Sequence, residues 1–164
     1  MNALLKSPLP DTQSKTFRRG KRKILLVDDD PAVRKMLGLL LTGEGYEVLL
    51  AVDGGESIQV VRAADIDLVL LDLNMPGMDG WEAYERLAAE NPMLPIIVIT
   101  ARPNQSFTAM AAGIGALLEK PLDLPKLFLT IRDLLDEPDD IRLARVAGRP
   151  SEFHYVPPRP AAPG

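Results

Sequence analysis

The amino-acid sequence predicts an α/β fold: a doubly wound, five-stranded parallel sheet with helices on both faces. Two observations support this prediction. Short apolar runs alternate with segments of helical period along the middle of the chain. The runs are also continuously apolar, which is typical of parallel strands buried on both faces. With 46% hydrophobic residues among 164, the chain has enough apolar material for one domain with flanking segments.

Five apolar runs are the predicted strands. The second run contains the charged Glu47 and is therefore predicted to lie at an edge of the sheet. The runs cover residues 24–27, 46–50, 68–71, 96–99 and 116–118.

Helix-starting signals follow several of these runs. Asp30 before Pro31 predicts an N-cap and a first helical position. The predicted inward face of this helix holds Val33, Met36, Leu37, Leu40 and Leu41. Further helices are predicted after Asp79 and Asp123, with weaker helical patterns over 56–64 and 105–112. The order βαβαβαβαβα predicts right-handed crossovers between parallel strands.

Charge and proline are distributed unevenly along the chain. Residues 1–23 carry seven Lys and Arg against one acid, residues 24–136 carry eighteen acids against eight bases, and residues 137–164 carry four of each. This predicts a flexible basic arm over 1–22 and a flexible Pro-rich tail over 138–164. The acidic body argues against direct DNA binding, and a solvated flank is the favoured interpretation of the basic run 18–23.

Several classes of function lack their essential residues. The chain has no cysteine and a single histidine, His154, which excludes thiol nucleophiles and Cys/His zinc sites and argues against Ser-His-Asp triads. No run approaches the ~20 apolar residues of a membrane span, and no signal-peptide core is present. We therefore expect a cytoplasmic protein whose chemistry relies on carboxylates, hydroxyls, lysines and backbone groups.

Polar residues follow four of the predicted strands at the edge where an open parallel sheet binds its ligands. Acids at 28–30 follow the first strand, Asp72 the third, Thr100 the fourth and Lys120 the fifth. Each residue alone has an ordinary structural role as a turn, cap or solvated charge. Their occurrence at four strand ends together predicts a site.

The residue types at these strand ends fit one reaction class. Crowded carboxylates repel one another, and an all-oxygen ligand set favours Mg²⁺ or Mn²⁺ over zinc. An aspartate accepts a phosphoryl group when the incoming oxygens are neutralised. A metal ion, the Lys120 ammonium and the Thr100 hydroxyl would supply that neutralisation. The residues therefore predict phosphoryl transfer to a carboxylate.

Four segments carry a family resemblance. They are Ile24-Leu-Leu-Val-Asp-Asp-Asp-Pro31, Leu71-Asp-Leu-Asn-Met-Pro-Gly-Met-Asp-Gly80, Ile99-Thr-Ala101 and Lys120-Pro121. In this order and spacing they resemble the receiver domain of two-component response regulators, over about two-thirds of the chain. The resemblance implies a receiver domain over 23–137 with a flavodoxin-like sheet of order 2-1-3-4-5.

The resemblance also implies a role for each site residue. Asp72 would accept the phosphoryl group from a sensor histidine kinase or a phosphotransfer protein, while Thr100 and Lys120 would contact that group. The Lys120-Pro121 bond would be cis. The implied metal ligands are Asp28, Asp29, Asp72 and the backbone carbonyl of Asn74.

One position departs from the family pattern. Leu117 stands where the family usually has a tyrosine or phenylalanine that moves inward with the threonine. Two interpretations stay open: an altered output switch, or a plain core residue.

The segment after residue 136 is too short and too rich in proline for a DNA-binding output domain. We therefore expect a stand-alone response regulator whose phosphorylation changes its affinity for an unknown protein partner. It would participate in its own phosphorylation and dephosphorylation without being an independent substrate-turnover enzyme. Two alternatives remain: a binding module that needs no phosphorylation, and a carboxylate-dependent phosphatase, a class that commonly has a second acid where Asn74 stands.

Overall fold

The computed structural model describes residues 20–77, 79–149 and 151–163, in which six parallel strands form one sheet of order β2-β1-β3-β4-β5-β6. The strands are β1 Lys23–Val27, β2 Glu47–Ala51, β3 Leu68–Asp72, β4 Ile96–Thr100, β5 Ala116–Glu119 and β6 His154–Val156. The helices are α1 Pro31–Gly43, α2 Gly54–Ala63, α3 Gly80–Glu90, α4 Ser106–Ala111, α5 Leu124–Asp136 and α6 Asp139–Val146. The predicted parallel α/β fold is confirmed, with a sixth strand added beside β5.

Two hydrophobic layers enclose the sheet. Ile24 and Leu26 of β1 pack on the side of α1 and α5, whereas Leu25 and Val27 pack on the side of α2, α3 and α4. All four side chains are buried. Because successive residues of a strand face opposite sides, a strand covered on both faces must be apolar throughout.

The predicted helix starts are confirmed by their caps. The Asp30 side chain accepts a hydrogen bond from the Ala32 N–H at 2.9 Å, and Pro31 begins α1. Asp79 and Asp123 cap α3 and α5 in the same way. The predicted inward face of α1 is wrong at two positions, since Met36 and Leu40 are exposed while Leu37 and Leu41 are buried. The core side of α1 is formed by Leu37 and Leu41 with the partly buried Val33, and Met36 and Leu40 lie at the margins of this apolar stripe.

The prediction of a flexible tail over 138–164 is wrong for residues 139–146 and 154–156, which form α6 and β6. The prolines of this segment lie at 138, 150 and from 157 onward, so residues 139–149 are free to form a helix. Val156 is buried in the same layer as α5, and the Arg145 guanidinium forms a buried ion pair with Glu137. The ion pair holds α6 to the end of α5, and β6 is held against β5 by strand pairing and by Val156.

The N-terminal arm falls mostly outside the described residues, which begin at Gly20. Residues 20–22 are exposed and lead directly into β1. Within the described part of the chain, no helix combines the length and apolar character needed to cross a membrane.

Candidate functional site

Three aspartates meet at the carboxyl ends of the two central strands. Asp72 ends β3, and Asp28 and Asp29 directly follow the neighbouring strand β1. One carboxylate oxygen from each residue lies within 4.8 Å of the others. Asp28 and Asp72 are buried, whereas Asp29 is exposed. The structure therefore brings together the three predicted carboxylate ligands, with one of them open to solvent.

Burial makes this negative charge unfavourable. The pKa of Asp28 is raised above its usual value, first by burial and also by the charge of Asp72. The Asp30 N–H, which donates to Asp28 Oδ1 at 2.9 Å, opposes this rise. A divalent cation would offset the repulsion between these groups. The ligand set is made entirely of oxygen, which fits Mg²⁺ or Mn²⁺.

Lys120 supplies the positive charge of the pocket. Its Nζ lies 3.2 Å from Asp72 Oδ2 and 3.8 Å from Asp28 Oδ2. Its backbone N–H donates to the Thr100 carbonyl at 2.8 Å, which places the lysine directly beyond the end of β5. The Lys120-Pro121 bond is cis, as the resemblance implied.

Thr100 is fully buried at the end of β4 and belongs to a small hydrogen-bond network. Its Oγ1 donates to the Asn74 side-chain oxygen at 3.3 Å, and the Ala101 N–H donates to the same oxygen at 2.8 Å. The Arg102 N–H donates to Thr100 Oγ1 at 3.0 Å. The threonine hydroxyl therefore lies at the site but is directed at Asn74.

Sequence reasoning missed the side-chain role of Asn74, for which it predicted only a backbone contact. The Asn74 N–H donates to Asp72 Oδ1 at 2.9 Å, so this residue touches both the acid and the threonine. Its place two residues after a strand-ending aspartate is the signal that favours such a turn. Arg34 was also missed: its Nη1 donates to the Asp28 carbonyl at 2.6 Å.

A glycine allows the loop after β3 to fold tightly. A Cβ on Gly80 would lie 2.5 Å from the Leu73 Cα and 2.7 Å from the Leu73 carbonyl oxygen. Because these are backbone atoms, any side chain at residue 80 would force the loop away from the start of α3. The glycine thus keeps α3 close to the residue that follows Asp72.

Leu117 is fully buried in the layer beneath α3 and α4, which matches the core interpretation of this residue. Its neighbour across the sheet is Tyr155 of β6. An altered output switch stays a prediction.

Comparison with known proteins identifies close similarity over the described domain. The model of the family described as "Response regulator receiver domain" matches residues 24–132. The transcriptional regulatory protein GlrR of Escherichia coli (strain K12) is 39% identical over 116 residues, covering 70% of this chain and 26% of GlrR. Response regulator MprA of Mycobacterium leprae (strain TN) is 42% identical over 122 residues, covering 72% of this chain and 54% of MprA. The chain thus spans between a quarter and about half of the length of these relatives.

Solved structures share the fold over about the same part of this chain as the two relatives. A CheY-like response regulator receiver domain protein from Methanospirillum hungatei JF-1 has a TM-score of 0.67 and 32% identity, covering 71% of this chain and 95% of that one. The response regulator protein TrrA from Thermotoga maritima, in complex with Mg²⁺-BeF, has a TM-score of 0.64 and 29% identity, covering 69% of this chain and 98% of that one.

Proposed function

This chain belongs to the response regulator receiver domain family, and from that membership we propose that Asp72 accepts a phosphoryl group from a histidine kinase or phosphotransfer protein. The observation that carries the proposal is the buried Asp72 carboxylate with the Lys120 ammonium 3.2 Å away. A nucleophile for phosphorus and a cation for the phosphoryl oxygens lie side by side.

The transfer step follows from these positions. One Asp72 carboxylate oxygen attacks phosphorus, and the phosphorus–nitrogen bond of a phosphohistidine donor breaks. The bonding electrons return to the imidazole nitrogen, which takes up a proton, and Asp72 becomes an acyl phosphate. Lys120 stays within reach of the new oxygens and pairs with their charge.

We assign the metal ligands to Asp28, Asp29, Asp72 and the backbone carbonyl of Asn74. The clustered carboxylate oxygens and the raised pKa of Asp28 support this assignment. When bound, Mg²⁺ would supply positive charge that offsets the negative charge of the phosphoryl group. The Mg²⁺-BeF complex of the similar protein TrrA supports the choice of metal.

Thr100 supplies the third contact to the phosphoryl group in this proposal. Its hydroxyl donates to Asn74 Oδ1 at the long distance of 3.3 Å, so it gives up a weak hydrogen bond when it turns toward a phosphoryl oxygen. The Asn74 oxygen keeps the shorter bond from the Ala101 N–H. The rearrangement therefore leaves no buried acceptor without a donor.

Incubation with acetyl phosphate and Mg²⁺, followed by intact mass measurement, tests the acceptor assignment. We expect the wild type to gain the mass of one phosphoryl group and Asp72→Asn to gain none. Asp133→Asn, on the helix α5 remote from the pocket, is the matched control and should react like the wild type. An unmodified wild type with acetyl phosphate and with kinase donors would contradict the proposal.

The proposal extends to the output of the domain. Phosphorylation would switch affinity for a protein partner, and the domain would act in the cytoplasm as a phosphoryl acceptor and not as a turnover enzyme. The relatives GlrR and MprA are named as regulators, which supports a signalling role. Repeated hydrolysis of a generic phosphate ester would contradict the assignment as an acceptor. An immunoblot after cell fractionation would test the cytoplasmic location.

A further inference from the structure

The C-terminal segment 154–159, which contains β6, contacts both chain neighbours of Lys120. On one side, the Tyr155 hydroxyl donates to Glu119 Oε1 at 2.9 Å. On the other, the Arg159 N–H donates to the Pro121 carbonyl at 2.8 Å. The residue that approaches Asp72 is therefore bracketed by two contacts from the same segment, 154–159.

The same segment is also held at the start of β5. The His154 N–H donates to the Gly115 carbonyl at 3.1 Å. A Cβ on Gly115 would lie 3.3 Å from Arg145 Nη1, so the buried guanidinium of α6 lies directly over this glycine. Val156 then packs beside Leu118 in the core. The segment 154–159 thus runs beside β5 and the turn after it, from the Gly115 carbonyl to the Pro121 carbonyl.

The position of the lysine matters because its Nζ must reach a phosphoryl group on Asp72. The Nζ is 3.2 Å from Asp72 Oδ2, and the backbone of the turn sets the origin of this long side chain. Small misplacements of a charge-neutralising group reduce a transfer rate strongly. The side-chain contact to Glu119 and the backbone contact to Pro121 restrain the turn and therefore act on the chemistry through Lys120.

We infer that β6 positions Lys120 for phosphoryl transfer, with Tyr155 as the positioning residue. The inference rests on the proposed function of Asp72. Binding linkage then requires the reverse effect: a ligand that draws Lys120 toward Asp72 changes how firmly β6 is held. The contact between Tyr155 and Glu119 couples the phosphorylation pocket to the outer edge of the sheet.

The first test measures the rate of phosphorylation by acetyl phosphate at saturating Mg²⁺. We expect Tyr155→Phe, which removes only the hydroxyl, to slow the reaction roughly fivefold. Its Mg²⁺ affinity should be unchanged, because the carboxylate ligands are untouched. Tyr84→Phe is the matched control. It also removes a hydroxyl, one that donates to the Ala112 carbonyl at 2.9 Å and makes no contact with Glu119 or Pro121.

Two further variants separate positioning from a general loss of structure. Glu119→Gln keeps an oxygen acceptor for Tyr155 and should keep the wild-type rate, whereas Glu119→Ala should be as slow as Tyr155→Phe. The double variant Tyr155→Phe/Glu119→Ala should be no slower than either single variant, because both remove one interaction. If the reductions in phosphorylation rate of the two single variants added up in the double variant, Tyr155 and Glu119 would not act through one shared interaction.

A second measurement needs no substitution. Arg159 carries the only backbone N–H in the segment 157–160, whose other residues are prolines. Its hydrogen exchange therefore reports on the bond to Pro121. We expect binding of Mg²⁺ with beryllofluoride to change this exchange rate about threefold or more. If Tyr155→Phe fails to fold, the exchange rate of the Arg159 N–H still tests whether the C-terminal segment is coupled to the pocket.

The outcomes distinguish the two proposals. A reactive wild type with an equally fast, folded Tyr155→Phe overturns the inference alone, as does an unchanged Arg159 exchange rate. An unreactive wild type removes the proposed function and the inference with it. A slow Tyr155→Phe beside a normal Tyr84→Phe supports both.

Discussion

Lys120 of the strand-end pocket follows β5 and the C-terminal segment pairs with that same strand, yet the residues of the two regions are placed by different forces. Asp72, Thr100 and Lys120 each end or follow a buried strand, so the parallel sheet brings them together. The C-terminal segment instead depends on particular pairs, such as Arg145 with Glu137. Topology alone can therefore assemble a site, whereas an added edge strand needs its own anchors.

The largest expected effect tests whether the C-terminal segment is part of the folded domain. Arg145→Met leaves the buried Glu137 carboxylate without its closest cation and should lower the free energy of unfolding by about 3 kcal/mol. Urea unfolding measures this change. Arg86→Met, which breaks an exposed pair with Glu82, is the control and should change stability by less than about 0.5 kcal/mol. If Arg145→Met were as stable as the wild type, the contact of α6 with the domain would contribute nothing to the stability of the fold.

The next effect belongs to the pocket. Lys120→Gln removes the cation beside Asp72 and should slow phosphorylation by acetyl phosphate about a hundredfold. Quench-flow or timed mass measurement follows the reaction. Lys126→Gln, at the exposed start of α5, provides the control and should react at the wild-type rate. A fast Lys120→Gln would remove the lysine from the transfer mechanism.

A smaller effect measures the apolar anchor of β6. Val156→Ala removes two buried methyl groups and should cost about 1.5 kcal/mol of stability. Val146→Ala, at a half-exposed position on α6, should cost less than about 0.5 kcal/mol. If the two variants are equally stable, Val156 is not an anchor of β6.

The smallest expected effect concerns Asp28, whose pKa is raised by burial and by Asp72. A raised carboxyl pKa means that Asp28 stabilises the fold at acid pH and that this stability is lost as pH rises through the folded pKa. In buffer with a chelator at neutral pH, Asp28→Asn should therefore raise the thermal midpoint by a few degrees. The advantage should vanish toward pH 3, and Mg²⁺ should bind the variant more weakly. A lower midpoint at neutral pH would contradict this account.

The pocket was predictable because buried parallel strands have an unmistakable pattern and their carboxyl ends meet at one edge. The direction of the Thr100 hydroxyl toward Asn74 was not predictable, since it depends on the loop after β3. The C-terminal segment was mispredicted because its average composition hides where the prolines lie. A three-residue strand with one buried valine carries too little periodicity to be found without its partner β5.

The sixth strand also has a consequence for the solubility of the sheet. Without it, the apolar β5 would offer its unpaired backbone groups to another chain. β6 covers that strand, and it is followed at once by Pro157 and Pro158, which have no N–H to donate. The new edge is only three residues long and ends in prolines, so it is a poor template for a further strand. The C-terminal segment thus protects the domain from edge-to-edge aggregation.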